Sequence, residues 1–596
     1  MNLNLGVIGN CIYNALINDR GQMVWCCMPR FDGDPVFNAL LQDGGINDED
    51  RQGLFAVDLE DLVESQQYYK TNTAILVTRL TDARGGVIEI TDFAPRFSQY
   101  GRMYRPIAIV RKIRSIAGTP RIRIRVRPTF EYGAVAPECT HGSNHIRYVG
   151  PRYAFRLTTD APLIYVLNET WFHAEEPLTL FLGPDETWTR SVTEATDEYL
   201  AKTELHWKEW ARHLALPLEW QQEVIRAAIT LKLCWYEETG AIIAAMTTSI
   251  PESVDSGRNW DYRYCWLRDA YYVVQSLNRL GVIDIMESYL VYLRNLTGIV
   301  EDRHLKPVYG IDLAGDLTEH TVDSLPGYRG MGPVRRGNQA HEHLQHDVYG
   351  QVVLSAAQAF FDKRILRPMR ESDYVMLETV ADKAFEIHDQ PDASLWELRT
   401  KSRVHTYSSV MCWAACDRMS KIAQHLGKAD RSTYWQERAS AIKKKVDAEA
   451  FNSELGSFTS AFGGDEIDAS LLQLAPLGFV EGSDPRYIGT VAAIERELLH
   501  EGHIFRYVAA DDFGKPRNAF NVCTFWYIEA LHALGRTDDA RSVFNGMLEA
   551  TNHLGLLSED FDVKNQEMWG NFPQTYSLVG IINAAMLLSK PWGSVL

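Results

Sequence analysis

The sequence predicts a multidomain β + α protein: an N-terminal antiparallel β-sandwich, a helical linker and a C-terminal (α/α)6 barrel. Three observations carry that expectation. The 596 residues exceed the size at which one hydrophobic core stops growing. Strand-like runs fill the chain to about residue 190, and helical periodicity dominates from about residue 217. Residues 1–195 are therefore assigned to the sandwich, 196–216 to the linker and 217–596 to the barrel.

Each part has its own local signature. In the first, β-branched or aromatic runs such as "GQMVWCCM", "AILVTRLTD", "GVIEITDFA" and "PLIYVL" alternate with Gly, Asp, Asn and Pro turns. The basic run 111–128 alternates Arg121, Arg123, Arg125 and Arg127 with Ile122, Ile124 and Val126. Period two puts the arginines on one sheet face and the aliphatics on the other, so a solvated sandwich strand is expected. "TDEYLAKTELHWKEWARHLA" then switches to helical spacing. Beyond it, apolar-periodic segments recur near 219–236, 266–281, 284–297, 345–364, 373–389, 407–425, 428–448, 467–476, 487–498, 519–534, 537–550 and 574–590. Alternately short and long connections turn these into six helical hairpins of one toroid, with the long loops at one mouth.

Composition removes several function classes. The formal charge of −18 argues against nucleic acid and anionic membrane as partners. No window approaches ~18 uninterrupted apolar residues, so no membrane span is expected. The N-terminus lacks the basic and apolar regions of a signal peptide. Nine scattered cysteines point to reduced thiols and a cytoplasmic protein, which makes the sequons at Asn168 and Asn295 chance matches. No P-loop, strand-linked G-x-G-x-x-G or G-x-S-x-G is present. "HEHLQH" groups His341, His343 and His346, but it lacks the H-E-x-x-H spacing and reads as a polar lead-in to a helix starting near Leu344.

The stretch "NWDYRYCWLRDA" at 259–270 is too charged for a core and too aromatic for a surface. A sugar suits it, because C–H faces stack on rings while hydroxyls need donors and acceptors. It supplies Trp266, Arg268 and Asp269 at a helix start. "DASLWELRT" places Glu397 beside Trp396, and "GLLSEDFDV" places Glu559 and Asp560 ahead of the last helix. Splitting a glycosidic bond needs two carboxyl groups, one protonated and one ionised, and an apolar neighbour such as Trp396 favours the protonated form. Taken singly each has a structural reading: packing for Trp396–Glu397, a helix cap for "SED", an ion pair for Arg268–Asp269. Their joint placement in the loops of one barrel favours a site.

Nearly the whole chain resembles glycoside hydrolase family 15, the glucoamylase and bacterial trehalase-like group. "GNCIYNALINDRGQMVWCCMPRFDGDPVFNALL" resembles the trehalase-like N-terminal domain. "NWDYRYCWLRDA", "LWELR", "FNVCTFWYIEAL" and "SEDFDVKNQEMWGNFPQTYS" resemble the barrel motifs in order. The resemblance implies a super-β-sandwich, a linker helix and an (α/α)6 barrel that releases glucose with inversion. It implies Glu397 as general acid, Glu559 as general base, and Arg268, Asp269 and Trp266 as the grip on the non-reducing glucose. Arg506 and Tyr507 resemble a second sugar-contacting pair. "PVRRGNQAHEHLQHDVYG" resembles the segment near the mouth in which Arg336, Asn338, Gln345 and Asp347 shape the subsites. Two positions depart from the family pattern: Val24 stands where an acidic residue is usual, and Ser409 where a lysine is usual.

The expected function is an inverting, exo-acting α-glucoside hydrolase that releases β-glucose from trehalose or a short malto- or isomalto-oligosaccharide. An α-glucoside phosphorylase and a catalytically silent sugar-binding protein are the alternatives. The first would not need Glu559, and the second would bind without turnover. Acid–base hydrolysis calls for no cofactor and no metal. Oligomeric state is not readable from the sequence.

Overall fold

The computed structural model describes residues 1–42, 48–299 and 304–596. Among the described residues up to Pro184 lie two large antiparallel sheets. One runs in the spatial order Leu5–Gly9, Asn14–Asn18, Met23–Met28, Leu54–Leu59, Arg121–Arg127, Phe172–His173, with Asp34–Phe37 paired onto Met23–Met28. The other runs Glu138–His141, His145–Val149, Ala154–Thr159, Leu178–Pro184, Ile109–Ala117, Val87–Phe93, Leu76–Asp82, Leu62–Tyr69. In the arginine strand, Ile122 and Ile124 are fully buried as the alternation requires. The arginine face is not bare, however. Arg125 is itself buried and grips Asp58 with bonds of 2.6 and 2.9 Å, while Arg121 pairs with Glu60 and Arg127 with Glu169. Neighbouring carboxylates neutralise this ladder, so the basic strand is paired within the protein.

A short helix α1 (Leu163–Leu167) precedes the last long strand, and α2 (Val192–Arg212) leads out of the sandwich. Ser191 caps α2, its hydroxyl accepting from the Glu194 backbone N–H. The barrel contains α3 (Gln221–Leu233), α4 (Leu267–Arg279), α5 (Asp284–Ile299), α6 (Asp347–Ala357), α7 (Glu371–Ile387), α8 (Thr406–His425), α9 (Ala429–Glu449), α10 (Pro485–Leu498), α11 (Asn521–Ala533), α12 (Thr537–Glu549) and α13 (Thr575–Leu588). Where the sequence predicts a helix over 467–476, the chain makes a six-residue 3-10 helix, Ala469–Leu474. Pro476 lacks the N–H and disfavours helical backbone before it, so an α-helix cannot continue there.

Contacts close an inner ring: α4 packs on α6, α6 on α8, α8 on the 469–474 turn, that turn on α11, α11 on α13, and α13 back on α4. Outer helices back each member, α5 on α4, α7 and α9 on α8, α10 on the turn, α12 on α11 and α3 on α13. The two layers differ as burial demands. Inner α11 buries residues on all sides, whereas outer α9 buries only Trp435, Ala439, Ile442 and Val446, one stripe at helical spacing. This is the (α/α)6 barrel expected. No helix among the described residues is long and apolar enough to cross a membrane.

One continuous apolar core runs through sandwich and barrel. Trp25 of the first sheet donates its indole N–H to the Met246 carbonyl of the barrel at 2.8 Å. Val24, beside it, is a buried core residue of that strand. All nine cysteines are unpaired, and only Cys139 is exposed.

Candidate active site

Long loops preceding inner helices α4, α11 and α13 and the loop between α7 and α8 surround one cleft. It is lined by Trp266, Arg268, Asp269, Asn338, Trp396, Glu397, Arg506 and Glu559, eight of the residues singled out from sequence.

Glu397 sits on backbone of positive φ (+60°), as does Ser394 (+63°), two left-handed non-glycine residues in one tight loop. Such geometry costs on the order of 1–3 kcal/mol per residue and persists only where the surroundings enforce it. Here the Glu397 N–H donates to the Ser394 carbonyl at 3.2 Å, and the side chain is held at its tip. Its Oε1 accepts from the Trp266 indole at 2.7 Å, from Arg268 Nη2 at 3.4 Å and from Gln345 Nε2 at 3.4 Å. No donor among the described residues reaches Oε2. Trp396, the expected apolar neighbour, lines the same cleft. Trp396 turns its indole N–H to Asp468 at 3.0 Å and packs among Tyr507, Phe520 and Trp526.

Arg268 bridges Gln345 Oε1 at 2.9 Å and Asp347 Oδ2 at 3.3 Å. Asp269, in the first turn of α4, is 4 % exposed, and burial pushes its carboxyl up to about 7 against the opposing pull of Arg268.

Glu559 is 2 % exposed. Its Oε1 accepts from the Tyr262 hydroxyl at 2.7 Å, and its Oε2 has no hydrogen-bond partner in the protein. Burial first, and then the negative charge of Glu252, raise its pKa well above the ordinary range, while the Tyr262 hydrogen bond and Arg506 oppose the rise. Asp560, next in the chain, is raised for the same leading reason. Gly570 (φ +75°) makes room for this carboxylate: a Cβ there would lie 2.7 Å from Glu559 Cβ and 2.8 Å from Oε2.

The two carboxylates are linked through one pair of rings. Tyr262 and Trp266, one helical turn apart in sequence, pack edge to face with centroids 5.2 Å apart. One holds an oxygen of Glu559 and the other an oxygen of Glu397. Arg263 between them is wholly buried and fixes the stretch from behind. It pairs with Asp261 and donates to the Gly33 carbonyl at 2.9 Å and the Tyr132 hydroxyl at 2.6 Å, both in the sandwich.

Two residues singled out from sequence lie elsewhere. Arg336 is exposed in the short strand Val334–Arg336 and faces a separate cavity against the sandwich, with Arg30, Tyr132 and Tyr153. The strand pairing with His320–Val322 aims it away from the carboxylates. Tyr507 stands behind the cleft, its hydroxyl bonded to Asp511 and its ring against Trp396. Arg506 reaches the cleft but is committed to Glu252. Asn338 lines the cleft while bonding the Ala340 N–H at 2.9 Å. The histidines of "HEHLQH" separate: His343 lines the cleft, His341 turns back to the Asn338 carbonyl, and α6 starts at Asp347 rather than near Leu344. Ser409 is buried in α8, its hydroxyl satisfied by the His388 carbonyl at 2.6 Å, away from the cleft.

Sequence reasoning missed Glu252, which accepts from the Trp260 indole at 2.9 Å and from Arg506. Its neighbours in "IPESVDSG" carry no aromatic or periodic signal, so nothing local marks it. Tyr262 and Trp260 were within reach, since they share the aromatic stretch with Trp266.

Comparison with known proteins agrees with this architecture. The profile of glycosyl hydrolases family 15 matches residues 220–586, and that of the trehalase-like N-terminal domain matches residues 4–165. A trehalase of Thermoplasma volcanium is 32% identical over 98% of this chain and 93% of its own length. A trehalase of Thermoplasma acidophilum is 33% identical over 96% of this chain and 98% of its own. A bacterial glucoamylase solved in complex with acarbose superposes with a TM-score of 0.67, covering 99% of this chain and 94% of that one, at 13% identity, which speaks to the fold alone.

Proposed function

The chain belongs to glycosyl hydrolases family 15, and on that premise we propose that it is an inverting, exo-acting α-glucosidase releasing β-glucose from a short α-glucoside. The observation that carries the reading is the matched state of the two carboxyl groups in one cleft. Each has one oxygen held by a donor from "NWDYRYCWLRDA" and the other oxygen left over for chemistry. For Glu397 the Oε1 atom already accepts from Trp266, Arg268 and Gln345, which leaves Oε2 as the oxygen from which a proton would pass to the glycosidic oxygen. For Glu559 the unpartnered Oε2 accepts the proton of the attacking water. Water then adds to the anomeric carbon as the leaving-group bond breaks, and the configuration inverts. Arg268 and Asp269, buried beside Trp266, supply the donor and acceptor for hydroxyls of the terminal ring.

Trehalose is the first substrate to try, because relatives similar over nearly their full length carry the name trehalase. Short malto- and isomalto-oligosaccharides come next. Glu397→Gln and Glu559→Gln should each lower kcat by ~10²–10⁴-fold or more. Near-normal turnover in either variant removes that residue from its role. Proton NMR of the first product should show β-glucose, and α-glucose would refute inversion.

A further inference from the structure

We propose that Arg399 is a specificity-determining clasp that closes the leaving-group side of the cleft and limits the aglycone to about one sugar ring. The inference rests on the hydrolase reading above and adds the residue that sets substrate length.

Burial is graded along the cleft. The floor around Arg268, Asp269 and Glu559 is buried, whereas Trp260, Arg399 and Phe513 are half-buried and Asp512 is exposed. The mouth therefore lies on the side of Arg399, two residues beyond the proposed acid. Whatever is joined to the glycosidic oxygen must leave past it.

At that point four loops, far apart in sequence, interlock through one side chain. The Arg399 guanidinium lies 4.6 Å from the centroid of the Trp260 ring and 5.4 Å from that of Phe513. Those two rings meet edge to face at 5.1 Å. Its Nη2 pairs with Glu319 Oε2 at 3.2 Å, and Glu319 Oε1 is held by Arg335 Nη1 at 2.6 Å. The Arg399 backbone N–H donates to Asp512 Oδ2 at 2.7 Å, and Lys401 Nζ to the Ala510 carbonyl at 2.6 Å. A planar guanidinium held by two rings and the Glu319 carboxylate, on a backbone anchored to Asp512, has a fixed place, unlike a lysine, and it spans the exit as a strut. A second sugar ring can stack beside Trp260. A third must displace the strut.

The test holds the linkage constant and varies the aglycone. Wild type, Arg399→Ala, Arg399→Lys and Phe513→Leu are compared by kcat/KM on trehalose against α-maltosyl α-glucoside, and on maltose against maltotriose. Wild type should process the longer member at least roughly tenfold less efficiently, and Arg399→Ala should raise the long-to-short ratio by roughly tenfold or more. Phe513→Leu should move the ratio the same way, and Arg399→Lys should restore it only in part. Two results overturn the inference: a wild-type ratio near one, or an Arg399→Ala loss shared equally by long and short substrates, the mark of a residue that only steadies the Glu397 loop. A wild type inactive on all four glycosides overturns the hydrolase reading, and the clasp falls with it.

Discussion

Burial raises the Glu559 carboxyl, and Glu252 and Tyr262 then act on it with opposite sign. A raised carboxyl pKa means that Glu559 is protonated at acid pH, and in the proposed mechanism it could act as the base only as pH rises through its own value. The acid limb of kcat/KM should therefore lie above the ~4.3 of an ordinary glutamate. Glu252→Gln removes a nearby negative charge and frees Arg506, both favouring ionised Glu559, so the limb should move down by about one pH unit. Tyr262→Phe removes a hydrogen bond to the carboxylate, so the limb should move up. Two pH–rate profiles check this; shifts of the same sign in both variants would contradict the arrangement. Of these groups, Glu397 and Glu559 were legible in the sequence because each sits in a recognisable motif. Glu252 was not, because its importance comes from the Trp260 and Arg506 side chains that the fold brings to it.

The hairpin Asp560–Asp562 with Glu567–Trp569 shows how an element sets the position of a reactive group. It returns the chain so that Gly570 abuts Glu559, and a Cβ at this left-handed position would meet the Glu559 side chain at 2.7 Å. Gly570→Ala should displace the carboxylate and lower kcat by ~10²-fold, the scale of a 1 Å misplacement, with a smaller change in KM. A KM-dominated defect would place the strain elsewhere. At this scale, periodicity located almost every barrel helix, because an inner or outer helix must present an apolar face whatever its neighbours. It failed at 467–476, where Pro476 overrides the apolar pattern. It also gave no warning that the strand carrying Arg336 would aim away from the cleft, since strand pairing with His320–Val322 decides that direction.

The molecule works as one body rather than as a barrel with an appendage. The apolar core is continuous between sandwich and barrel, and Arg263, buried behind the aromatic stretch 259–270, donates two of its hydrogen bonds to Gly33 and Tyr132. A chain of residues 217–596 alone would expose that shared core and leave the Arg263–Asp261 pair half-supported. It should be aggregation-prone and inactive, as read by size-exclusion chromatography and glucose release; a monomeric, active barrel would show that the sandwich is dispensable. By itself the sequence determined the two rhythms, the ring of helical hairpins, the family and most of the cleft-lining residues, because periodicity and motif spacing are local properties of the chain. Only the tertiary structure decided which oxygen of each carboxylate is tied, that Glu559 is buried with the charge of Glu252 near it, that Arg336 and Tyr507 stand outside, and that Arg399 spans the mouth. Those facts depend on side chains brought together from far apart in the chain, Tyr262 and Glu559 across 297 positions, and a local pattern carries no information about partners that only folding makes neighbours.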